Sequence, residues 1–121
     1  MSVITITGER QTGKTEMVID RMVRHAREGM KVAYIGQTLV YAQHVQARIE
    51  NRDEAGVVKS YRANGAQRIT FSSGGSIRFL SAGKDSLRGF DLDALVWDDV
   101  QKPISDDARI ASKLIYHIIS E

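Results

Sequence analysis

A glycine-rich segment near the amino terminus carries the strongest chemical signal in the sequence. It fits the pattern G-x-x-x-x-G-K-[ST] and runs Gly8-Glu9-Arg10-Gln11-Thr12-Gly13-Lys14-Thr15. Glycines allow backbone N–H groups to approach a phosphate closely, and the N-terminus of a following helix attracts the anion. We expect Lys14 to reach the β- and γ-phosphates of a nucleotide and the Thr15 hydroxyl to ligate Mg²⁺. The sequence therefore predicts a nucleotide-binding loop over residues 8–16, with Glu16 as its last member.

Two adjacent acids, Asp98 and Asp99, follow the apolar run Ala94-Leu95-Val96-Trp97. A phosphate loop needs a carboxylate at the end of a neighbouring buried strand to hold its metal, and Asp98 has that position. Asp99 can then polarise an attacking water as a general base, which favours hydrolysis over phosphate transfer to a small acceptor. The alternative is a solvated pair of acids that caps a strand. ATP is preferred because the guanine-reading pattern Asn/Thr-Lys-x-Asp does not occur, so the expected ligands are ATP and Mg²⁺.

The elements around the loop have the order of a βαβ unit. Val3 to Thr7 is rich in β-branched residues and predicts a strand that ends at Gly8. Apolar positions with helical spacing predict a helix from Lys14 to Glu28, and Lys31 to Gly36 predicts a second buried strand. Strand, loop, helix and strand in this order indicate a parallel sheet.

The remaining elements follow from similar patterns. We expect a helix from Leu39 to Glu50 and a strand from Leu92 to Trp97. A β-hairpin is predicted where two alternating segments, residues 68–72 and 76–80, flank Ser73-Gly74-Gly75. The glycine-containing segment 51–67 is expected to have the least regular structure. An isoleucine-rich stripe with helical spacing predicts a final helix from Asp107 to Ser120.

Composition limits what this chain can do. Its 121 residues correspond to one domain, so we expect a single ATPase domain over residues 1–121, with no room for a second catalytic module of ordinary size. The fold class expected is a three-layer α/β P-loop NTPase (ASCE/RecA-like) with a mostly parallel sheet. No cysteine is present, which excludes disulfides, thiolate zinc sites and cysteine nucleophiles. Because no signal peptide or membrane-length apolar run occurs, we expect a cytoplasmic protein with no membrane partner, in the host cell if it is viral.

Three segments together resemble the ATPase domain of tailed-phage large terminases, the motors that package DNA. Terminase phosphate loops commonly carry an arginine four positions before the lysine, as Arg10 does here. The hairpin segment and the Leu-Arg-Gly loop that leads into the acidic strand also match in order. These two segments are Ser73-Gly74-Gly75-Ser76-Ile77-Arg78-Phe79 and Ser86 to Asp99.

The resemblance implies further assignments. Lys14, Thr15 and Asp98 would bind nucleotide and metal, and Arg10 would lie beside the γ-phosphate. Arg88 matches the position proposed in some terminases as an arginine finger that acts on the next subunit. Asp99 stands where family members usually carry Glu, which predicts slow turnover. The resemblance stops before the family's coupling motif and nuclease domain, so we do not expect this chain to package DNA alone.

The partners and the exact activity leave alternatives open. A homo-oligomer or a partner chain is expected, and double-stranded DNA is a candidate partner. The surface for DNA would be lined by Lys59, Arg62, Arg68, Arg78 and Lys84, although solvated charges are the simpler interpretation. One alternative function is a helicase- or recombinase-like DNA-dependent ATPase. Another is a nucleotide-binding regulatory or assembly protein with little turnover.

Overall fold

The computed structural model describes residues 2–8, 13–52, 56–63, 66–82 and 87–120. Within these ranges the chain forms a mixed α/β structure around one seven-stranded sheet. In chain order, the elements are β1 (Ser2–Gly8), α1 (Lys14–Arg27), β2 (Lys31–Gly36), α2 (Leu39–Asn51), β3 (Val57–Tyr61), β4 (Arg68–Phe71), β5 (Ser76–Ser81), β6 (Leu92–Asp98), α3 (Asp106–Ala111) and β7 (Ser112–Ser120).

The sheet is mostly parallel, as the sequence predicts. Its strand order is β1-β7-β6-β2-β5-β4-β3, and the first five strands run in the same direction. The antiparallel part comprises β3, β4 and β5, and β4 with β5 forms the predicted hairpin. Strands β1 and β2 flank the first helix in sequence, but β7 and β6 lie between them in the sheet. The carboxyl ends of β1, β7, β6 and β2 therefore meet at one edge.

Helices α1 and α2 cover one face of the sheet. On α1 the side chains of Val18, Ile19, Met22 and Val23 are buried, because their spacing places them on one side of the helix. They pack with α2 and with the central strands in the larger hydrophobic cluster. Helix α2 begins at a cap in which the Thr38 hydroxyl accepts a hydrogen bond from the Tyr41 N–H group (3.1 Å). These helices leave the carboxyl edge of the sheet accessible beside their N-termini.

The other face of the sheet carries a smaller hydrophobic cluster. It is covered by the short helix α3 and by Leu87 and Ile104 from connecting segments. Trp97 is 3% exposed and donates from Nε1 to the Lys102 carbonyl (3.1 Å). None of the described helices is long and apolar enough to cross a membrane.

The prediction of a long final helix is wrong. Only Asp106–Ala111 is helical, and Ser112–Ser120 forms β7, which pairs with β1 on one side and β6 on the other. The apolar residues of this segment also fit a strand that is buried on both faces, and periodicity alone cannot distinguish such a strand from a buried helix in a short apolar run. Because both faces of this parallel part of the sheet are covered, both faces of β7 take apolar residues: Ile118 faces the larger cluster and Ile115 the smaller one.

The segment expected to be least regular contains a strand that the sequence analysis missed. Val57–Tyr61 forms β3 at the edge of the sheet, with an irregularity between Val57 and Lys59. The residues of β3 are half-buried or exposed, and their sequence does not show the alternation of apolar and polar residues that indicates a strand. Pairing with β4 and hydrogen bonds from α2 hold it instead.

The hairpin turn between β4 and β5 packs against the last turn of α1 and generates a stability prediction. A Cβ atom at Gly75 would lie 2.0 Å from the Ala26 carbonyl oxygen. We expect Gly75→Ala to lower the free energy of unfolding by about 1–3 kcal/mol, because the hairpin or the helix must shift. Urea unfolding measures this difference. Gly74→Ala is the comparison variant in the same turn, because the space around its Cβ position is open and its cost comes only from the φ of 90°, which disfavours a side chain. Equal stability of the Gly75→Ala variant and the original chain would contradict the prediction.

Candidate functional site

A cleft of about 470 Å³ lies at the edge where the parallel strands end. It is bounded by the N-terminus of α1, by the carboxyl ends of β6 and β7, and by the first turns of α2. The residues that line it are Gly13, Lys14, Thr15, Glu16, Gln37, Tyr41, Arg48, Asp98, Asp99, Ile118 and Ser120. The cleft thus brings together the two segments that the sequence analysis singled out, which are more than 80 residues apart.

The N-terminus of α1 opens into this cleft without a side-chain cap. Gly13 occupies the cap position with a φ of 80°, a backbone conformation that favours glycine. Because it has no side chain, the N–H groups of the first helical turn have no side-chain acceptor there. Uncapped N–H groups and the helix dipole together favour an anion at this place.

Lys14 is held at the ends of β1 and β7. Its ammonium donates to the Gly8 carbonyl (2.7 Å), to the Ser120 hydroxyl (2.9 Å) and to the Ile119 carbonyl (3.3 Å). These three acceptors use all three N–H bonds of the ammonium. A phosphate in the cleft would therefore have to exchange for some of these contacts.

Asp98 is the buried acid of the cleft. It is 6% exposed, and its Oδ2 accepts a hydrogen bond from the buried hydroxyl of Tyr34 on β2. Burial raises the pKa of Asp98 above the ordinary value for an aspartate, and the charge of Asp99 raises it further. The hydrogen bond from Tyr34 and the Lys14 ammonium act in the opposite direction. Burial and the neighbouring Asp98 likewise raise the pKa of Tyr34, which stays protonated and can act only as the donor.

Asp99 is held by backbone groups rather than by other side-chain charges. Its φ of 56° is left-handed, and among the described residues it is the only non-glycine residue with a positive φ. Its N–H group donates to the Ile118 carbonyl (2.9 Å), and its Oδ1 accepts from the Ser120 N–H group (2.9 Å). The Gln37 side-chain amide donates to the Asp99 carbonyl. These contacts leave Oδ2 of Asp99 as the oxygen that can accept a proton from a ligand in the cleft.

The predicted site residues divide into three groups. Gly13, Lys14, Thr15, Asp98 and Asp99 line the cleft, and Gly8 contacts Lys14. Glu16 also lines it, but its carboxylate pairs with Arg48 of α2 and with Arg52, which directly follows that helix. Arg88 is exposed on a turn and is not a lining residue. Glu9, Arg10, Gln11 and Thr12 lie outside the described residues.

Several cleft residues were missed by the sequence analysis. Gln37 directly follows β2, as Asp99 directly follows β6, so the rule that parallel strands end at one edge could have found it. Ser120 was missed because its segment was predicted to be helical. Arg48 and Tyr41 reach the cleft from α2, and no motif in the sequence indicates this.

The oxygen donors of the cleft fit a magnesium ion that is shared with phosphates. The described part of the chain contains no group of three or more acidic or histidine side chains that could hold a metal by themselves. Thr15 and Asp98 contribute one hydroxyl and one carboxylate. Mg²⁺ is commonly bound by one or two protein oxygens together with waters and substrate phosphates, so this donor set suits it.

The contacts of Lys14 predict a stability effect that needs no ligand. In Lys14→Met the Gly8 and Ile119 carbonyls lose a charged donor while the aliphatic side chain is kept. We expect the free energy of unfolding to fall by about 1–2 kcal/mol, measured by urea unfolding. Lys113→Met is the matched control because it removes the same charge from an exposed lysine whose nearest acid, Asp93, is 3.4 Å away. A loss in Lys14→Met no larger than in the control would show that the three contacts do not hold the strand ends.

Comparison with known proteins identifies a similarity in structure. No protein-family model matches the sequence, and no curated protein matches it either. The structure is similar to part of the crystal structure of the HK97 bacteriophage large terminase, with a TM-score of 0.70 and 15% sequence identity. The matched region covers 98% of this chain and 29% of that terminase chain. The described residues therefore share their fold with part of a phage large terminase, which agrees with the resemblance recognised in the sequence.

Proposed function

We propose that this protein binds ATP with Mg²⁺ in the cleft and hydrolyses it, as a terminase-type P-loop ATPase linked to DNA packaging or translocation. The observation that carries the proposal is the meeting of two predicted motifs at one sheet edge. The uncapped N-terminus of α1, Lys14 and Thr15 face Asp98 and Asp99 across a single cleft. A phosphate-binding group and a pair of carboxylates so placed suit phosphoryl transfer to water.

The chemistry assigns a separate task to each side chain. Residues 8–16 cradle the phosphates, and Lys14 leaves its carbonyl partners to bind the β- and γ-phosphates. Thr15 and Asp98 hold Mg²⁺, which neutralises charge on the phosphates when it is bound. Oδ2 of Asp99 accepts a proton from the water that attacks the γ-phosphorus, and ADP leaves with the electrons of the broken P–O bond.

Arg10 and Arg88 complete the proposal. Arg10 lies outside the described residues, and Arg88 does not line the cleft. Arg10 belongs to the phosphate loop and stabilises charge on the γ-phosphate. Arg88 is exposed on a turn away from its own cleft, which suits a cation that acts on a neighbouring subunit in a homo-oligomer. A cation supplied in this way accelerates phosphoryl transfer by about 10³–10⁵-fold.

A nucleotide-binding protein with little turnover is the second candidate. The contact that favours it is the hydrogen bond from the Ser120 N–H group to Oδ1 of Asp99. Aspartate is one methylene shorter than the glutamate common in terminases, and this bond holds its carboxylate against the end of β7. Both features limit how far Asp99 reaches toward a water.

One phosphate-release assay with Mg-ATP separates these functions. We expect Asp99→Asn to bind ATP as the original chain does but to hydrolyse it about 10²–10⁴-fold more slowly, because asparagine accepts no proton. Asparagine tolerates the left-handed backbone and keeps an oxygen for the Ser120 N–H group, so the fold is retained. Lys14→Met, in the same assay, should lose both binding and turnover.

Other outcomes of the same assay would refute the ATPase proposal or favour one of its alternatives. Unchanged hydrolysis in Lys14→Met would refute the ATPase proposal. Tight binding of Mg-ATP by the original chain without phosphate release would favour the second candidate. Specific activity that rises with protein concentration would support a site completed by a neighbouring subunit, and Arg88→Ala then tests which residue completes it.

For the DNA partner, we propose contact through the outer surface of the antiparallel strands. Tyr61, Arg68 and Arg78 lie side by side on β3, β4 and β5, and Lys59 and Phe90 adjoin them. We call these five residues the basic face. Neighbouring strands are about 4.8 Å apart, so its cations span roughly 10 Å.

The charges of the basic face are available to an external anion. None of the described acids forms an ion pair with Lys59, Arg68 or Arg78. By contrast, Arg62 pairs with Glu50 of α2, and Lys84 lies outside the described residues. Tyr61 lies under Arg68 at 4.3 Å and under Lys59 at 4.8 Å, so its ring is already occupied by cations. A duplex backbone therefore suits this face better than the stacked bases of a single strand.

Binding to a labelled duplex at several salt concentrations tests the basic face. We expect Arg68→Gln combined with Arg78→Gln to weaken duplex binding and to reduce the salt dependence by about two units of slope. Arg62→Gln is the control, because it removes one positive charge from an arginine that pairs with Glu50 and is not part of the basic face. Equal binding by the double variant and the control would contradict the assignment. Tighter binding of single-stranded DNA would favour the helicase- or recombinase-like alternative.

A further inference from the structure

Tyr34 is a fully buried phenol at the centre of the sheet. It lies on β2 with 0% exposure, and its ring packs against Phe79 at a centroid distance of 6.2 Å. A Cβ atom at Gly36 would lie 3.3 Å from the ring, so the absence of a side chain there gives the ring room. A phenylalanine ring at this position would make the same packing contacts. The tyrosine differs only in its hydroxyl, which requires a polar neighbour.

The hydroxyl of Tyr34 reaches the acid that ends the neighbouring strand. Tyr34 is paired in register with Val96 of β6, and Asp98 lies two residues further along the same face. The ring therefore extends along the sheet toward the cleft and donates a hydrogen bond to Oδ2 of Asp98. Oδ1 of Asp98 has no hydrogen bond to any described residue.

We infer that Tyr34 is a positioning residue for Asp98 and thereby sets the affinity of the cleft for the metal. This inference rests on the proposed ATP and Mg²⁺ site. The Tyr34 hydroxyl donates to Oδ2 of Asp98 and so fixes the orientation of the carboxylate. Only the other oxygen, Oδ1, then faces the ligand. One carboxylate oxygen shared with phosphates and waters is the way in which Mg²⁺ is usually held. Groups behind a metal ligand typically change metal affinity 10–100-fold when they are removed.

The chain offers a matched control for the loss of one buried hydroxyl. Tyr116 on β7 is 4% exposed, packs in the same cluster as Tyr34 and hydrogen-bonds to His25 Nε2 (2.7 Å). It does not line the cleft. Tyr116→Phe and Tyr34→Phe therefore remove the same atom from similar surroundings, and only one of these atoms contacts Asp98.

The test is the Mg²⁺ dependence of binding of a fluorescent ATP analogue, measured with both variants and the original chain. We expect Tyr34→Phe to need about 10–100-fold more Mg²⁺ for half-saturation, while binding in EDTA stays as in the original chain. Tyr116→Phe should follow the original Mg²⁺ curve. Thermal unfolding of all three proteins identifies any general loss of structure.

A double-mutant cycle with Asp98→Asn identifies the route of the effect. If Tyr34 acts through the carboxylate, Tyr34→Phe changes the Mg²⁺ dependence no further in the Asp98→Asn background. An unchanged Mg²⁺ curve for Tyr34→Phe would overturn the inference, and so would an equal loss of binding in EDTA. If the original chain itself fails to bind the analogue with or without Mg²⁺, the proposed function fails as well, and this outcome is distinct from the first two.

Discussion

The position of β7 between β1 and β6 holds the two halves of the cleft together. Gly8 and Ser120 end β1 and β7 side by side, and Asp98 ends β6 on the other side of β7. Ser120 then joins the halves directly, because its hydroxyl accepts from Lys14 and its N–H group donates to Asp99. If β1 paired with β6 instead, the lysine and the acids would face each other without this intervening strand end. The spacing between Lys14 and the two carboxylates is thus a property of strand order.

The charges in the cleft satisfy one another only in part. Lys14 offsets the electrostatic cost of two adjacent acids, yet its ammonium hydrogen-bonds to backbone carbonyls and a hydroxyl rather than to a carboxylate. The first turn of α1 has no side-chain cap, and Oδ2 of Asp99 has no hydrogen bond to a described residue. An anion would supply acceptors for these N–H groups, and a divalent cation would supply a positive charge for the carboxylate oxygens. Such incomplete pairing reduces stability and is typical of sites that bind ligands.

Helix α2 connects the cleft with the basic face. It begins directly after Gln37 and Thr38 at the cleft, and Gln46 near its end donates to the Ser60 hydroxyl and the Tyr61 carbonyl of β3. Glu50 binds both Ser60 and Arg62, so its pKa is lowered although burial alone would raise it. One helix therefore contacts both proposed sites. The edge strand β3 depends on these polar contacts because it has few apolar ones of its own.

Local patterns in the sequence determined most of the elements, and they singled out several of the residues that line the cleft. The amphipathic α1, the hairpin and the run before Asp98 depend on neighbours within a few residues, and each is found where the sequence predicts it. Strand order depends on long-range pairing, so only the tertiary structure decided that the segment 112–120 is a strand and that it separates β1 from β6. The same holds for Gln37 and Ser120, whose side chains carry no motif and which line the cleft because parallel strands end together at one edge. Tyr34 carries no motif either, and only the pairing of β2 with β6 brings its hydroxyl to Asp98.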